Sequence, residues 1–124
     1  MKDDIIRDMK KAVIQWQTSE KLKSELIIAS RLVWRIEELK DVELVGAKKL
    51  MTTFMDSLSS EISMAYNFFQ LQEIKAIALK VREIGERIGS GQYQAAIKQI
   101  SESISLITTC GQRAAEKLQK ERLF

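Results

Sequence analysis

Apolar positions recur with a helical period along nearly the whole chain, and this pattern predicts an all-α protein. Within residues 22–39 the apolar side chains fall on one broad stripe, which leaves only a narrow polar band. The stripe consists of Leu22, Leu26, Ala29, Val33 and Ile36, widened by Ile28, Leu32 and Leu39. A helix that is apolar over most of its circumference is normally surrounded by other helices. We therefore expect this segment to be the central helix of a bundle.

The first part of the chain carries a stripe of its own, and its relation to residues 22–39 leaves two alternatives. If one helix runs through both segments, the apolar stripe rotates by more than about a third of a turn between them. Either the chain bends at Thr18-Ser19, or one long N-terminal helix presents two faces to two partners. In the unbroken helix Trp16 and Trp34 are separated by a whole number of helical turns and share a face. We favour the unbroken helix because nothing stronger than Thr18-Ser19 interrupts the pattern.

Three corners divide the rest of the chain. Lys40-Asp41 predicts a sharp turn, with Asp41 capping the next helix. The apolar stripe shifts again near Asn67, where Gln70 three residues later resembles a capping box. Gly89-Ser90-Gly91 predicts another turn, and a last helix follows it to about Arg122. Short connections favour antiparallel neighbours. The prediction is an antiparallel bundle of four to five helices in a single domain spanning 1–124, and in the favoured alternative it has one long N-terminal helix.

Residue types that catalyse reactions or hold cofactors are scarce in this sequence. There is no histidine, which excludes imidazole bases and histidine metal ligands, and Cys110 is the single cysteine. Cys110 and Gly111 are small residues on the last helix, where another backbone could approach closely, and we interpret Cys110 as a core residue. Glu25, Glu61 and Glu102 lie at the margins of their apolar stripes and are typical of interface or surface positions. We expect no enzyme activity, no metal site and no cofactor.

Composition narrows the class of protein further. The chain has 124 residues, 45% hydrophobic and 30% charged, which is ordinary for a folded globular domain. No apolar run reaches the roughly 18 residues that a membrane span needs. The first residues lack the uninterrupted apolar region of a signal peptide, and a lone cysteine favours a reducing compartment. We expect a cytoplasmic protein that has no membrane partner.

Basic residues form small clusters that suggest one possible function. Arg113, Lys117 and Lys120 share a face of the last helix, and Arg31 and Arg35 share a face of the central one. Together they could contact a phosphate backbone, which makes a small basic subunit of a nucleoprotein complex our alternative hypothesis. Against it stand the interleaved acids and a net charge of only +3. Nucleic acid is therefore the less favoured partner.

Apolar surface in excess of what one small bundle can cover favours a different function. The residues that we assign to a candidate interface are Trp16, Trp34, Ile27, Met51 and Met55. Aromatic and methionine side chains are enriched in protein–protein contacts, and methionine adapts to irregular partners. We expect a non-catalytic interaction or assembly subunit. Its expected partner is a second copy of itself in a homodimer, or another helical protein.

Overall fold

The structure is a computed structural model, and it describes residues 1–121 as four helices. Their bounds are α1 Lys2–Glu37, α2 Asp41–Phe69, α3 Gln72–Gly89 and α4 Tyr93–Lys120. The protein is all-α, as predicted, and the described part has four helices rather than five. α1 runs through Thr18-Ser19 without a break, which confirms the long N-terminal helix. Arg122, the predicted end of the last helix, lies outside the described residues.

The helices pack as an antiparallel bundle in which each contacts its neighbours in chain order and α4 closes the ring against α1. Two hydrogen bonds show the direction of α4 relative to α1. Gln15 Nε2 donates to the backbone oxygen of Cys110 at 2.9 Å, and Gln94 Nε2 donates to Glu37 Oε2 at 2.9 Å. The core combines the apolar stripes of all four helices, and its fully buried members include Leu26, Val33, Leu58, Ile62, Ile77, Ile84, Ile100 and Ile107.

Small residues make α1 and α4 the most closely packed pair of helices in the bundle. The α1 side of this contact has Ala12 and Ser19, and both are buried. Gly111 of α4 lies so close to α1 that a Cβ atom added there would stand 3.2 Å from the Cβ of Ser19. The predicted close approach at Gly111 is therefore confirmed, and Cys110 is buried beside it as expected.

The turns near residues 40 and 90 have the predicted positions, the turn between α2 and α3 follows Phe69 rather than lying at Asn67, and the local chemistry of the turns differs from the predictions. α2 continues past Asn67 to Phe69, and Gln70 then takes a left-handed conformation with φ 55°. The N-cap of α3 is Leu71, which has no side-chain capping bond, so the predicted capping box is wrong. Asp41 is the first helical residue of α2 rather than its cap, because Lys40 occupies that position. Gly91 has φ 78° in the predicted glycine turn, a conformation that favours glycine.

Among residues 1–121, no helix is both long enough and apolar enough to cross a lipid bilayer.

Candidate protein interface

A second stripe runs along α1 and another along α2, each displaced by part of a turn from the buried core stripe. Both have the alternating three- and four-residue spacing of a coiled-coil seam. On α1 the stripe is Ile14, Thr18, Lys21, Glu25, Ile28 and Leu32, and on α2 it is Leu50, Phe54, Ser57, Glu61, Met64 and Phe68. We call these twelve residues together the α1–α2 face. α1 packs much less closely on α2 than on α4, so this side of the bundle is open.

Two apolar grooves lie along the open side, one towards each end. The first has a volume of about 250 Å³ and lies between Ile14 on α1 and Met64 and Phe68 on α2. The second has a volume of about 360 Å³ and lies between Leu32 on α1 and Leu50 and Phe54 on α2, with the buried Met51 at its floor. Side chains at the rims are strongly exposed: Leu50 by 75%, Met64 by 64% and Phe68 by 54%. The α1–α2 face thus presents large apolar side chains to solvent at both ends.

Charged side chains occupy the middle of the face, and two of them, Lys21 and Glu61, also line the first groove on the side nearer the second one. Lys21 Nζ lies 3.5 Å from Glu61 Oε1 across the helix pair and 4.0 Å from Glu25 Oε1 on its own helix. Burial, a hydrogen bond with Glu61 and the negative charge of Glu61 together raise the pKa of Glu25 from 4.5 to about 7, although Lys21 opposes the shift. Near neutral pH Glu25 is therefore partly protonated, which reduces the negative charge beside Glu61.

We expect the protein to lose stability as the pH rises from about 4.5 to about 7, because of Glu25. The folded protein binds the Glu25 proton more tightly than the unfolded chain does. The stabilisation from that proton is fully present below the unfolded pKa and is lost as the pH passes the folded one. Urea denaturation at pH 5, 6, 7 and 8 measures the effect as a falling midpoint. Glu25→Gln, which keeps the hydrogen-bond donor without a titrating proton, should flatten the profile over this range.

Glu102 is the matched control for this experiment, because it is another glutamate in a cross-helix ion pair, at 3.6 Å from Lys80. Glu102→Gln should leave the pH profile as steep as in the unchanged protein. If Glu25→Gln and Glu102→Gln change the profile equally, the pH dependence does not come from Glu25.

The five residues of the predicted interface do not form one surface. Met51 and Met55 are only 3% and 4% exposed, so the expectation that they add exposed surface is wrong. Both lie on the core stripe of α2, which α1 and α3 cover, so neither side chain reaches the solvent. Trp34 is 53% exposed and Ile27 is 37% exposed, and their spacing places them with the half-buried Trp16 on one face of α1. That face lies on the side of α1 away from the α1–α2 face.

The two predicted basic clusters lie towards opposite ends of α1. Arg113 is close to Gln15, whereas Arg31 and Arg35 lie on the last turns of α1, roughly 24–30 Å further along at 1.5 Å per residue. Arg113 forms an ion pair with Glu73 of α3, and Arg35 forms one with Glu38 at 3.4 Å. Lys117 and Lys120 are exposed. The five side chains therefore do not form one continuous basic strip.

Cys110 has the properties of a structural residue. Burial is the main reason that its pKa is raised to about 11, with a further contribution from Glu73, while Arg113 opposes the shift. At neutral pH the thiol is therefore protonated and a poor nucleophile. In the described part of the chain, residues 1–121, no three acidic or cysteine side chains converge as a metal-binding group.

Our sequence analysis did not identify the α1–α2 face as one surface, although a signal for it was present. On α2 each core position such as Met51, Met55 or Leu58 is preceded by a residue of the second stripe, such as Leu50 or Phe54. Two adjacent stripes with coiled-coil spacing indicate a helix with two packing partners. The pairing of Lys21 with Glu61 needed the tertiary structure, because the two residues lie on different helices and far apart in the chain.

Comparison with known proteins adds no family assignment: neither the family models, nor the curated proteins, nor the solved structures contain a match to this chain.

Proposed function

We propose that this protein is a non-catalytic assembly subunit that self-associates through the α1–α2 face. The observation that carries the proposal is the open side of the bundle, where large apolar side chains line two grooves and remain exposed. Contiguous apolar patches of more than a few hundred Å² are rare on monomeric proteins and usually mark interaction sites. The most exposed side chains at the groove rims are leucine, methionine and phenylalanine, and two of these three types are enriched in interfaces.

Other exposed apolar residues are more isolated and serve as internal controls. Leu79 of α3 is 54% exposed, but its position on the helix is half a turn away from the buried residues Ile77 and Val81 and lies in neither groove. A single exposed leucine of this kind is normal and requires no partner. Leu79 therefore matches Leu50 in residue type without belonging to the α1–α2 face.

We expect Leu50→Glu to convert a dimer into a monomer, because it places a charge at the rim of a groove that a partner would cover. Leu79→Glu should leave the association unchanged. Sedimentation velocity over a range of protein concentrations measures both results. Because Leu50 is 75% exposed, its replacement should change the free energy of unfolding of the monomer by at most about 1 kcal/mol. A change of that size shifts the thermal midpoint by only a few degrees.

Trp34→Glu separates the two apolar faces of α1. If Trp34→Glu dissociates the protein while Leu50→Glu does not, the interface lies on the face of Trp34 and Ile27, and our assignment to the α1–α2 face is wrong. If the unchanged protein sediments as a monomer at all concentrations up to about 1 mM, self-association itself is refuted. A dissociation constant of about 1 mM corresponds to a binding free energy of only about −4 kcal/mol.

The nucleoprotein hypothesis stays a prediction. The basic side chains at Arg113 and Arg35 are paired with acids, and their clusters are well separated. The hypothesis would be supported if the protein binds a generic duplex at about 50 mM salt and if this binding weakens steeply as the salt concentration rises.

A further inference from the structure

The α1–α2 face has a defined order of layers along the bundle. Because α1 and α2 are antiparallel, Ile14 lies level with Phe68, where they line one groove, and Leu32 lies level with Leu50 in the other. The ion pair of Lys21 and Glu61 lines the first groove on the side nearer the second one. From end to end the face is therefore apolar, then charged with opposite signs on the two helices, then apolar again.

We infer that a second copy of this chain covers the α1–α2 face, with the two-fold axis of the dimer parallel to the helices. In this arrangement α1 of each copy packs against α2 of the other. Every residue of the face then meets residues of the other copy that lie at the same height along the bundle. The inference rests on the proposed function and specifies its geometry. It accounts for both stripes having coiled-coil spacing, since each stripe then packs into the complementary stripe of the second copy.

Charge complementarity supports this orientation. Lys21 of one copy faces Glu61 of the other, and the symmetry repeats the contact. The Lys21 side chain is 67% exposed, so it can reach the Glu61 side chain of the other copy, which is 31% exposed. Four charges then alternate in sign in the central layer. Apolar side chains meet apolar side chains at the ends, where Ile14 faces Phe68 and Leu32 faces Leu50 of the other copy.

The opposite orientation, with the two-fold axis across the helices, is electrostatically less favourable. It packs α1 against α1, with the midpoint between Lys21 and Glu25 at the centre. Lys10 and Arg35 lie almost equally far from that midpoint on either side, so Lys10 of each copy would meet Arg35 of the other. Like charges placed opposite each other in an interface disfavour that arrangement. Lys21 would instead approach Glu25, whose side chain is only 22% exposed and already contacts Glu61.

A spin label at position 40 distinguishes the two orientations without altering the face. Lys40→Cys lies in the exposed turn between α1 and α2, and the native Cys110 is fully buried. With the axis parallel to the helices, both labels lie at the same end of the dimer, about 20 Å apart for two interhelical spacings of 8–10 Å. With the axis across the helices they lie at opposite ends, about 50 Å apart at 1.5 Å per residue. Pulsed electron–electron double resonance measures this distance in the full-length protein.

Each result has a separate meaning. The shorter of the two distances supports the inference, and the longer one overturns it while leaving self-association intact. A sample that is monomeric in sedimentation, with no intermolecular distance, overturns the proposed function and the inference with it. The unchanged protein treated with the label is the control, and it should incorporate almost none because Cys110 is buried.

A charge exchange tests the central layer directly. Lys21→Glu and Glu61→Lys each place like charges opposite each other twice per dimer, so each variant alone should associate at least about tenfold more weakly. Mixed together, the two variants restore opposite charges in both contacts and should form a heterodimer. Circular dichroism checks that each variant is folded. If the folded single variants associate as tightly as the unchanged protein, Lys21 does not face Glu61 of the second copy.

Discussion

Ile100→Asp is expected to abolish cooperative folding. Ile100 is completely buried on α4, where it contributes to the core shared by the helices. A carboxylate at this position would be out of contact with water, and no cationic side chain lies among the buried residues of the described chain. The combined loss of apolar packing and burial of an unpaired polar group should exceed about 4 kcal/mol, a large share of the stability of a domain of this size. Thermal denaturation followed by circular dichroism measures it.

Ser101→Asp is the matched control, because it introduces the same side chain at the next residue of α4, which is exposed. It should change stability by no more than about 0.5 kcal/mol. A cooperative melting curve for Ile100→Asp, with a midpoint near that of Ser101→Asp, would contradict the assignment of Ile100 to the core.

Gly111→Leu should produce the second large effect, because it forces α1 and α4 apart. An added Cβ atom would already stand 3.2 Å from the Cβ of Ser19, closer than ordinary van der Waals contact, and leucine adds three further carbon atoms. Overpacking of a well-packed contact typically destabilises by about 1–3 kcal/mol, and here it acts on the closest helix pair in the bundle. Urea denaturation should show a lower midpoint.

Gly85→Leu is the matched comparison, because it makes the same substitution at a helical glycine that has space for a side chain. Nothing lies within 4 Å of a Cβ atom added at Gly85 of α3. Leucine has the higher helix propensity, so Gly85→Leu should leave stability unchanged or raise it by up to about 1 kcal/mol. If Gly111→Leu and Gly85→Leu have the same effect, the α1–α4 contact is not as close as the structure shows.

The bundle has one tight side and one open side, and the residues at the contacts explain the difference. Alanine, serine and glycine at positions such as Ala12, Ser19 and Gly111 let α1 and α4 approach closely. Between α1 and α2 the corresponding side chains are larger or charged, such as Phe54, Glu61 and Phe68, and they hold the helices apart. The space between those helices becomes the two grooves, so the same residues that open the side also supply its apolar rims.

The fold was predictable from the sequence to a large extent. Helical periodicity is strong in every segment, and the absence of proline leaves few places where a helix must end. The long α1, the corners near residues 40, 70 and 90, and the buried positions of Cys110 and Ile100 all follow from local patterns. The details of the caps did not, because a left-handed residue such as Gln70 can end a helix without any side-chain bond.

The candidate interface was less predictable. Exposure depends on which neighbour covers a stripe, and the sequence of α2 contains two adjacent stripes with similar apolar content. Met51 belongs to the buried stripe and Leu50 to the exposed one, although both are large apolar residues in consecutive positions. A choice between them requires the position of α1 relative to α2, which no local pattern contains.

The sequence by itself determined that the chain forms long amphipathic helices joined by short turns, because periodicity and turn chemistry act within a few residues. Tertiary structure alone decided which stripes are buried, that Lys21 meets Glu61 and that burial beside Glu61 raises the proton affinity of Glu25, and that the basic clusters lie apart. These features depend on the packing distances between helices. Those distances follow from side-chain volumes that meet only once the bundle has formed.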